Sequence, residues 1–166
     1  MTKASRLRAG DEDTFAALME ETAPALRRYC AGILLDYDDA EDALQNTYLR
    51  FWRKQVLLPE EDKLLSYLYK TAYHACIDLL RSKKLFRPPE PVRPAAEPGF
   101  SPELKAALRG LHPMDRALLL ERAVEERSYA ELSGEYQKSE AALRKRYERA
   151  KKRMVLLLEQ TKEGVE

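Results

Sequence analysis

Apolar positions recur every three or four residues along most of this chain, and β-branched runs of alternating polarity are absent. That pattern predicts helices and no sheet. It is clearest in DDAEDALQNTYLRFWR, residues 38–53, where Ala40, Ala43, Leu44, Thr47, Tyr48 and Phe51 share one face. Asp38 with Glu41 three residues on reads as a capping box, and the acids of that first turn suit the positive end of the helix dipole. Upstream, Asp11 or Asp13 is placed to cap TFAALMEETA, with Phe15, Leu18, Met19 and Thr22 inward. Pro24 suits the first turn of a second segment, whose Leu26, Tyr29, Cys30 and Ile33 pack inward. The pattern breaks at KQVLLPEED and resumes over residues 64–84. There Leu64, Tyr67, Leu68, Thr71, Ala72, Ala75 and Leu79 form the core face.

Between Phe86 and Pro102 six prolines exclude regular helix. They divide the chain into a first domain of residues 1–85, an extended linker of residues 86–102 and a second domain of residues 103–166. Such a linker tethers its domains without fixing their orientation. The second domain opens with ELKAALRGL, turns at residues 110–112 and restarts at Pro113. Ser128, with Glu131 in the capping-box position, starts YAELSGEY. A three-residue turn follows, and Ser139 caps a long basic helix. Two helices joined in this way form a helix-turn-helix. The expected fold is all-α: two small helical domains joined by a Pro-rich linker, the second a helix-turn-helix domain.

The faces left outside these cores carry the chemistry. In residues 38–53, Asp42, Gln45, Asn46, Leu49 and Arg53 lie opposite the core stripe, with Trp52 at the edge. Amides and charges around an apolar centre compose a protein-binding surface; the alternative is one stray exposed leucine and a core tryptophan. In residues 64–84 the polar stripe is Lys70, His74, Asp78 and Arg81, the last two spaced to pair. Tyr69, Tyr73 and Ile77 occupy the remaining side, beside bases. They form either a platform on which single-stranded bases stack or a third core face. On the last helix Leu143, Tyr147, Ala150, Met154 and Leu157 point inward, and Ala141, Arg144, Lys145, Glu148, Arg149 and Lys152 point away. Small Ala141 and Ala142 allow close approach to a groove, Arg reads guanine, and Glu accepts from cytosine N4. Lys151, Lys152 and Arg153 suit phosphates. The alternative is a solvated basic helix.

Composition sharpens the picture in one respect. The net charge of the 166 residues is only +1, yet residues 36–42 carry five acids and no base, and residues 144–153 carry seven bases and one acid. A nearly neutral chain so divided still binds polyanions through its basic block. Cys30 and Cys76 stand singly, as reduced, buried thiols. No convergent carboxylates, Cys/His ligand set, nucleophile elbow or phosphate-cradling Gly loop points to an enzyme, a metal or a cofactor. No apolar run reaches the roughly 20 residues of a membrane span, and the N-terminal segment lacks a signal-peptide pattern, so the expected location is cytoplasmic.

Taken together, the segments resemble the extracytoplasmic-function (ECF) group of bacterial RNA polymerase sigma factors. DAEDALQNTYLRFWR is similar to the segment that grips the coiled coil of the polymerase β′ subunit. SYLYKTAYHACIDLLR resembles the segment that melts and reads the −10 element. LLLERAVEERSYAELSGEYQKSEAALRKRYERAKKRM resembles the −35-reading region. The resemblance implies a non-catalytic factor that binds core RNA polymerase, through the β′ coiled coil and the β flap, and promoter DNA, with an anti-sigma partner. It assigns polymerase contact to Asp42, Gln45, Asn46, Leu49, Trp52 and Arg53. It assigns the −10 strand to Tyr69, Lys70, Tyr73, His74, Ile77 and Arg81, with residues 54–62 matching the loop that captures a flipped base. The −35 groove falls to Ser139, Ala141, Arg144, Lys145, Glu148, Arg149 and Lys152. The family's Arg-Asn pair in the −10 helix is Tyr73–His74 here, and its Gly-aliphatic-Ser turn is residues 137–139. A helix-turn-helix regulator acting without polymerase is the rival reading; it leaves Leu49 and the tyrosine face unexplained.

Overall fold

The computed structural model describes residues 1–86 and 100–163, and side chains up to residue 83 in the first stretch and residue 161 in the second. Its helices are α1 (Lys3–Arg8), α2 (Glu12–Leu34), α3 (Tyr37–Arg53), α4 (Glu61–Phe86), α5 (Pro102–Arg109), α6 (Pro113–Leu119), α7 (Tyr129–Tyr136) and α8 (Glu140–Glu163). A 3-10 turn, Gln55–Leu57, precedes α4, and a π-helical turn, Leu120–Val124, extends α6. The chain is all-α, and no strand occurs among the described residues. Most of the linker expected at 86–102, with its Arg87 and Arg93, lies outside the described residues.

In the first domain α2, α3 and α4 pack around Leu26, Ile33, Leu44, Phe51 and Leu68. Three local expectations change. Pro24 does not open a helix; it sits inside α2, which Asp11 caps by accepting from the N–H groups of Asp13 and Thr14. Pro24 and Glu20, whose carbonyl the proline deprives of its helical donor, are both exposed, the least costly place for an interior proline. The cap of α3 is Asp36 rather than Asp38, accepting from the Asp39 N–H at 2.9 Å. Glu41 pairs with Arg27 of α2 instead of reaching back to its own helix start. Asp78 likewise pairs across to Arg50 of α3 at 2.9 Å, not along its helix to Arg81. In each case a partner on a neighbouring helix wins over one a turn away. Helix α1 was not expected: Thr2 caps it, Ala4 and Leu7 are buried, and Glu61 accepts from the Ala4 N–H.

The second domain follows its pattern closely. Ser128 and Glu131 form the capping box of α7, and Gln137 takes a left-handed conformation (φ 55°) that turns the chain into α8. Ser139 accepts from the Ala142 N–H at 3.1 Å. Met114, Leu118, Leu132 and Leu143 are the centre of this half.

The two halves are docked, contrary to the expected loose tether. One continuous apolar cluster runs from Leu26 and Ile33 through Ala117 and Leu120. Buried Arg116 of α6 donates to the Ile33 carbonyl (2.9 and 2.5 Å) and to that of Leu111 (2.7 Å). It thereby supplies both partner and positive charge to the C-terminal turn of α2, which has no intrahelical donor left. A proline-rich linker permits many orientations; apolar area and buried hydrogen bonds select one.

Candidate nucleic-acid interface

Three surfaces emerge. On α3, Asp42, Gln45, Asn46, Leu49 and Arg53 are all exposed, and Leu49 shows 52% of its surface. The core stripe opposite them is buried, so the helix is two-faced as its spacing predicts. Trp52 is half-buried, its ring tilted at 31° against that of Phe15 with ring centres 4.6 Å apart. It belongs partly to the core and presents one edge to the surface.

The second surface lies where α3 ends against α4. Arg50, Arg53, Lys54, Lys70 and His74 converge with Tyr67 on a pocket of about 440 Å³. Two of these, Lys70 and His74, were expected in a strand-binding role. Lys54 was expected only as part of the base-capturing loop, and Tyr67 was placed in the core. Burial, then the positive charge of Lys70, lowers the pKa of His74, so its imidazole is neutral at pH 7 and both accepts and donates hydrogen bonds. A cationic mouth with an aromatic and a neutral imidazole suits one nucleotide, phosphate outside and base within.

The other α4 residues assigned to the −10 strand differ in exposure. Arg81 is exposed and Ile77 half-buried, but Tyr69 is only 3% exposed. Its ring meets Tyr29 edge-on at 5.1 Å, and the Arg127 guanidinium lies 4.9 Å over it. Tyr73 is half-buried, edge-on to Tyr136 of α7 at 5.0 Å. Neither tyrosine faces an open platform in this arrangement, because α7 and the turn before it cover that side. Spacing alone left this side open between a platform and a third core face; the structure uses it as the second.

The third surface is the outer face of α8. Ser139, Ala141, Arg144, Lys145, Glu148, Arg149 and Lys152 are exposed, whereas Leu143 and Ala150 are buried and Tyr147, Met154 and Leu157 half-buried. Sequence reasoning missed the aromatic support beneath it. Tyr129 carries the Arg144 guanidinium at 4.8 Å and the Arg122 guanidinium at 4.2 Å. Two cations on one ring steady Arg144 and concentrate positive charge beside the N-terminal part of α8. The signal was available as Tyr129 one residue after the cap of α7, but only the fold brings it to Arg144. Arg146, by contrast, is turned inward onto Asp115 at 2.6 Å and reaches His112 at 3.3 Å, fixing α8 on α6.

No group of His, Cys, Asp and Glu suited to a metal occurs among the described residues, and none of their helices is long and apolar enough to cross a membrane. Cys30 and Cys76 are buried free thiols, and the neighbouring Cys30 thiol together with burial pushes the pKa of Cys76 well above its ordinary value.

Comparison with known proteins gives a consistent result. The family described as Sigma-70 region 2 matches residues 18–86, and Sigma-70, region 4 matches residues 101–154. Comparison with curated proteins gives no match. Among solved structures, the chain is similar to the sigma factor RpoE, in complex with the anti-sigma factor NepR, from Bartonella quintana. The TM-score is 0.73 at 21% identity, over 87% of this chain and 96% of that one. It is similar also to CnrH in complex with the cytosolic domain of CnrY, with a TM-score of 0.74 at 16% identity over 95% and 96%. At such identities these likenesses speak for the fold. With region 2 and region 4 matched in order across most of its length, and with a region 4 that presents a basic recognition helix, the chain belongs to the sigma-70 family of RNA polymerase sigma factors, in its ECF type.

Proposed function

We propose that this sigma factor grips core polymerase through the outer face of α3, takes a base of the −10 strand into the pocket between α3 and α4, and reads the −35 element with α8. The observation that carries the proposal is the outer face of α8, where Arg144, Lys145, Glu148 and Arg149 are all exposed while Leu143 and Ala150 are buried. A merely solvated basic helix gives no reason for the small, exposed Ala141 and Ala142 at its N-terminal end, where a groove is approached most closely. On α3 the residues assigned are Asp42, Gln45, Asn46, Leu49 and Arg53, with the edge of Trp52; the β′ coiled coil is the partner there and the β flap a second one. At the pocket they are Lys70 and His74, joined by Arg50, Lys54 and Tyr67; Ile77 and Arg81 continue along α4. Tyr69 and Tyr73 reach DNA only after the second domain moves away.

The chain supplies recognition and stabilises the opened strand, each stacked base being worth about 1–3 kcal/mol; bond making belongs to polymerase. It works in the cytoplasm. One of the similar solved structures is a complex with the anti-sigma factor NepR, and a partner of that kind for this chain is part of the proposal. The test is reconstitution: purified chain with core polymerase on a DNA library, reading start sites from the transcripts. Shared −10 and −35 elements upstream of them are expected. Transcripts no different from those of core polymerase alone would overturn the reading.

A further inference from the structure

Helix α1 lies ahead of the segment matched to Sigma-70 region 2, which begins at residue 18. We infer that α1 is a positioning element for strand recognition. Through Ala4, Arg8 and Gly10 it fixes the shape of residues 54–62, beside the pocket between α3 and α4, and so sets which base that pocket accepts. The inference rests on the proposed role of the pocket in taking a −10 base.

A helix of six residues has no stability of its own, so both of its ends must be held. Thr2 caps the start by accepting from the Ser5 N–H at 3.0 Å. At the other end Gly10 takes a positive φ of 83°. Its N–H donates to the Leu7 carbonyl and that of Asp11 to the Arg6 carbonyl, each at 3.0 Å, which closes the helix in a Schellman motif. Asp11 then caps α2. Two end motifs placed back to back leave little freedom in the angle between α1 and α2, and fully buried Ala4 and Leu7 complete the seat.

Thus seated, α1 meets the loop at three points. The Ala4 N–H, one of the first donors of the helix and without a partner inside it, donates to Glu61 Oε2 at 2.8 Å. The Arg8 guanidinium lies 3.3 Å from Glu60 Oε2. Gln55 packs at the Gly10 turn, where a Cβ would stand 3.5 Å from its Oε1. The Ala4–Glu61 bond dominates, because a buried N–H that loses its acceptor has no water to turn to; the Arg8–Glu60 pair is open to solvent on the Glu60 side and contributes less. Leu58 anchors the loop from within, buried in the core of the first domain. Between Gln55 and Leu58, Val56 and Leu57 stand clear at 72% and 77% exposed, and Lys54 before them lines the pocket. A loop so tied presents one preformed surface to a strand, and preorganisation strengthens binding without adding a contact.

The experiment uses the full chain, free and bound to core polymerase. Glu61→Ala removes the acceptor for the Ala4 N–H, and Glu61→Gln keeps an oxygen there. Arg8→Ala loosens the same loop from the α1 side, so the test stands even where Glu61→Ala is too unstable to purify. Lys3→Ala is the control, since Lys3 is on α1 but pairs with Glu21 of α2 at 3.4 Å. In the free chain Glu61→Ala is expected to speed hydrogen exchange at the Leu57 and Leu58 amides, which bond to the Lys54 and Gln55 carbonyls. With polymerase, binding is read on promoters varied one base at a time. A loop that holds its accepting shape for about a tenth of the time binds about tenfold more weakly. Glu61→Ala is therefore expected to lower the preference for the favoured base about tenfold at one −10 position and to leave the −35 positions unchanged. Glu61→Gln is expected to restore most of both effects, Arg8→Ala to show them in smaller measure, and Lys3→Ala to show neither. Unchanged exchange in Glu61→Ala and Arg8→Ala overturns the inference. A loss of equal size at every position of both elements overturns it too, since a merely destabilised domain gives that result. His74→Ala, inside the pocket, separates this inference from the reading it rests on. If His74→Ala alters −10 preference and Glu61→Ala, with faster exchange, does not, α1 holds the loop without setting the base and the inference falls while the pocket stands. If neither alters it, the pocket reading fails and takes the base-setting role of α1 with it.

Discussion

Leu49 shows how one side chain distinguishes an interface from a surface. It is half-exposed on a face otherwise made of amides and charges, so Leu49→Asp changes folding stability by only about 0.5 kcal/mol or less. A buried interface tolerates the same charge poorly. Gel filtration with core polymerase is expected to show the folded variant eluting alone; co-elution like that of the wild type would remove α3 from the interface. On α8 the contrast is between Arg144 and Lys152. Arg144 lies near the N-terminal end, steadied by Tyr129, and Lys152 about two turns further on. Arg144→Ala is expected to cost about 1–3 kcal/mol on a cognate −35 element and to relax preference at one base position. Lys152→Ala is expected to weaken all DNA alike and lower the salt slope by about one. Binding to single-base variants of the element at two salt concentrations separates the two behaviours; a uniform loss with a reduced salt slope for Arg144→Ala would make it a phosphate contact.

At the scale of elements, the second domain depends on its helix ends. Helix α7 has eight residues, Tyr129–Tyr136, too few to be stable alone. It is held by the Ser128–Glu131 capping box at one end and at the other by the Ser133 hydroxyl donating to the Lys138 carbonyl at 2.7 Å. Ser128→Ala is expected to cost about 1 kcal/mol, read as a fall in the denaturant midpoint at unchanged slope. Because α7 sets the entry angle of α8, −35 binding should weaken along with it. The three-residue turn carries Gln137 with positive φ, where glycine would be the easier residue. Gln137→Gly is expected to be neutral or stabilising, by up to about 1 kcal/mol, in the same titration.

At the scale of the whole molecule, one buried cluster at the seam of the two halves makes stability depend on pH. Glu121 is 0% exposed and lies beside Glu135. Facing them are Tyr29 from α2, Tyr69 and Ser66 from α4, Arg127 from the turn before α7, and Glu131 and Tyr136 from α7. Arg127 pairs with Glu135, with Glu131 at 2.7 Å and more distantly with Glu121 at 3.7 Å. One cation thus faces three carboxylates. Burial, and then the Glu135 carboxylate, push Glu121 well above the ordinary carboxylate range. The folded state therefore holds a proton that the unfolded state releases. Its stabilisation is complete below the ordinary Glu pKa and declines as pH rises through the raised value. Thermal unfolding is expected to show stability falling as pH climbs above the ordinary Glu range, and Glu121→Gln, which keeps a neutral group of the same shape, should flatten that dependence. An unaltered profile in Glu121→Gln would assign the pH response to other groups.

What the sequence determined by itself is what a helix decides locally. The 3.6-residue spacing placed Leu143 and Ala150 inside and Arg144, Lys145 and Arg149 outside, and the Ser128–Glu131 and Ser139 caps set the ends of α7 and α8, because both depend on residues within a turn or two. The two-faced α3, and with it the proposed polymerase contact, was legible for the same reason. The tertiary structure alone decided which of two physically allowed partners each group takes. Asp78 meets Arg50 rather than Arg81, Glu41 meets Arg27 rather than its own helix start, and Tyr69 meets Arg127 and Tyr29 rather than solvent. Periodicity assigns a residue to a face but does not say what covers it. The cover for Tyr69 comes from a segment almost sixty residues away in sequence. Its docking depends on the fit of Gly32 to Leu120 and of Arg116 to the end of α2, neither of which leaves a local pattern.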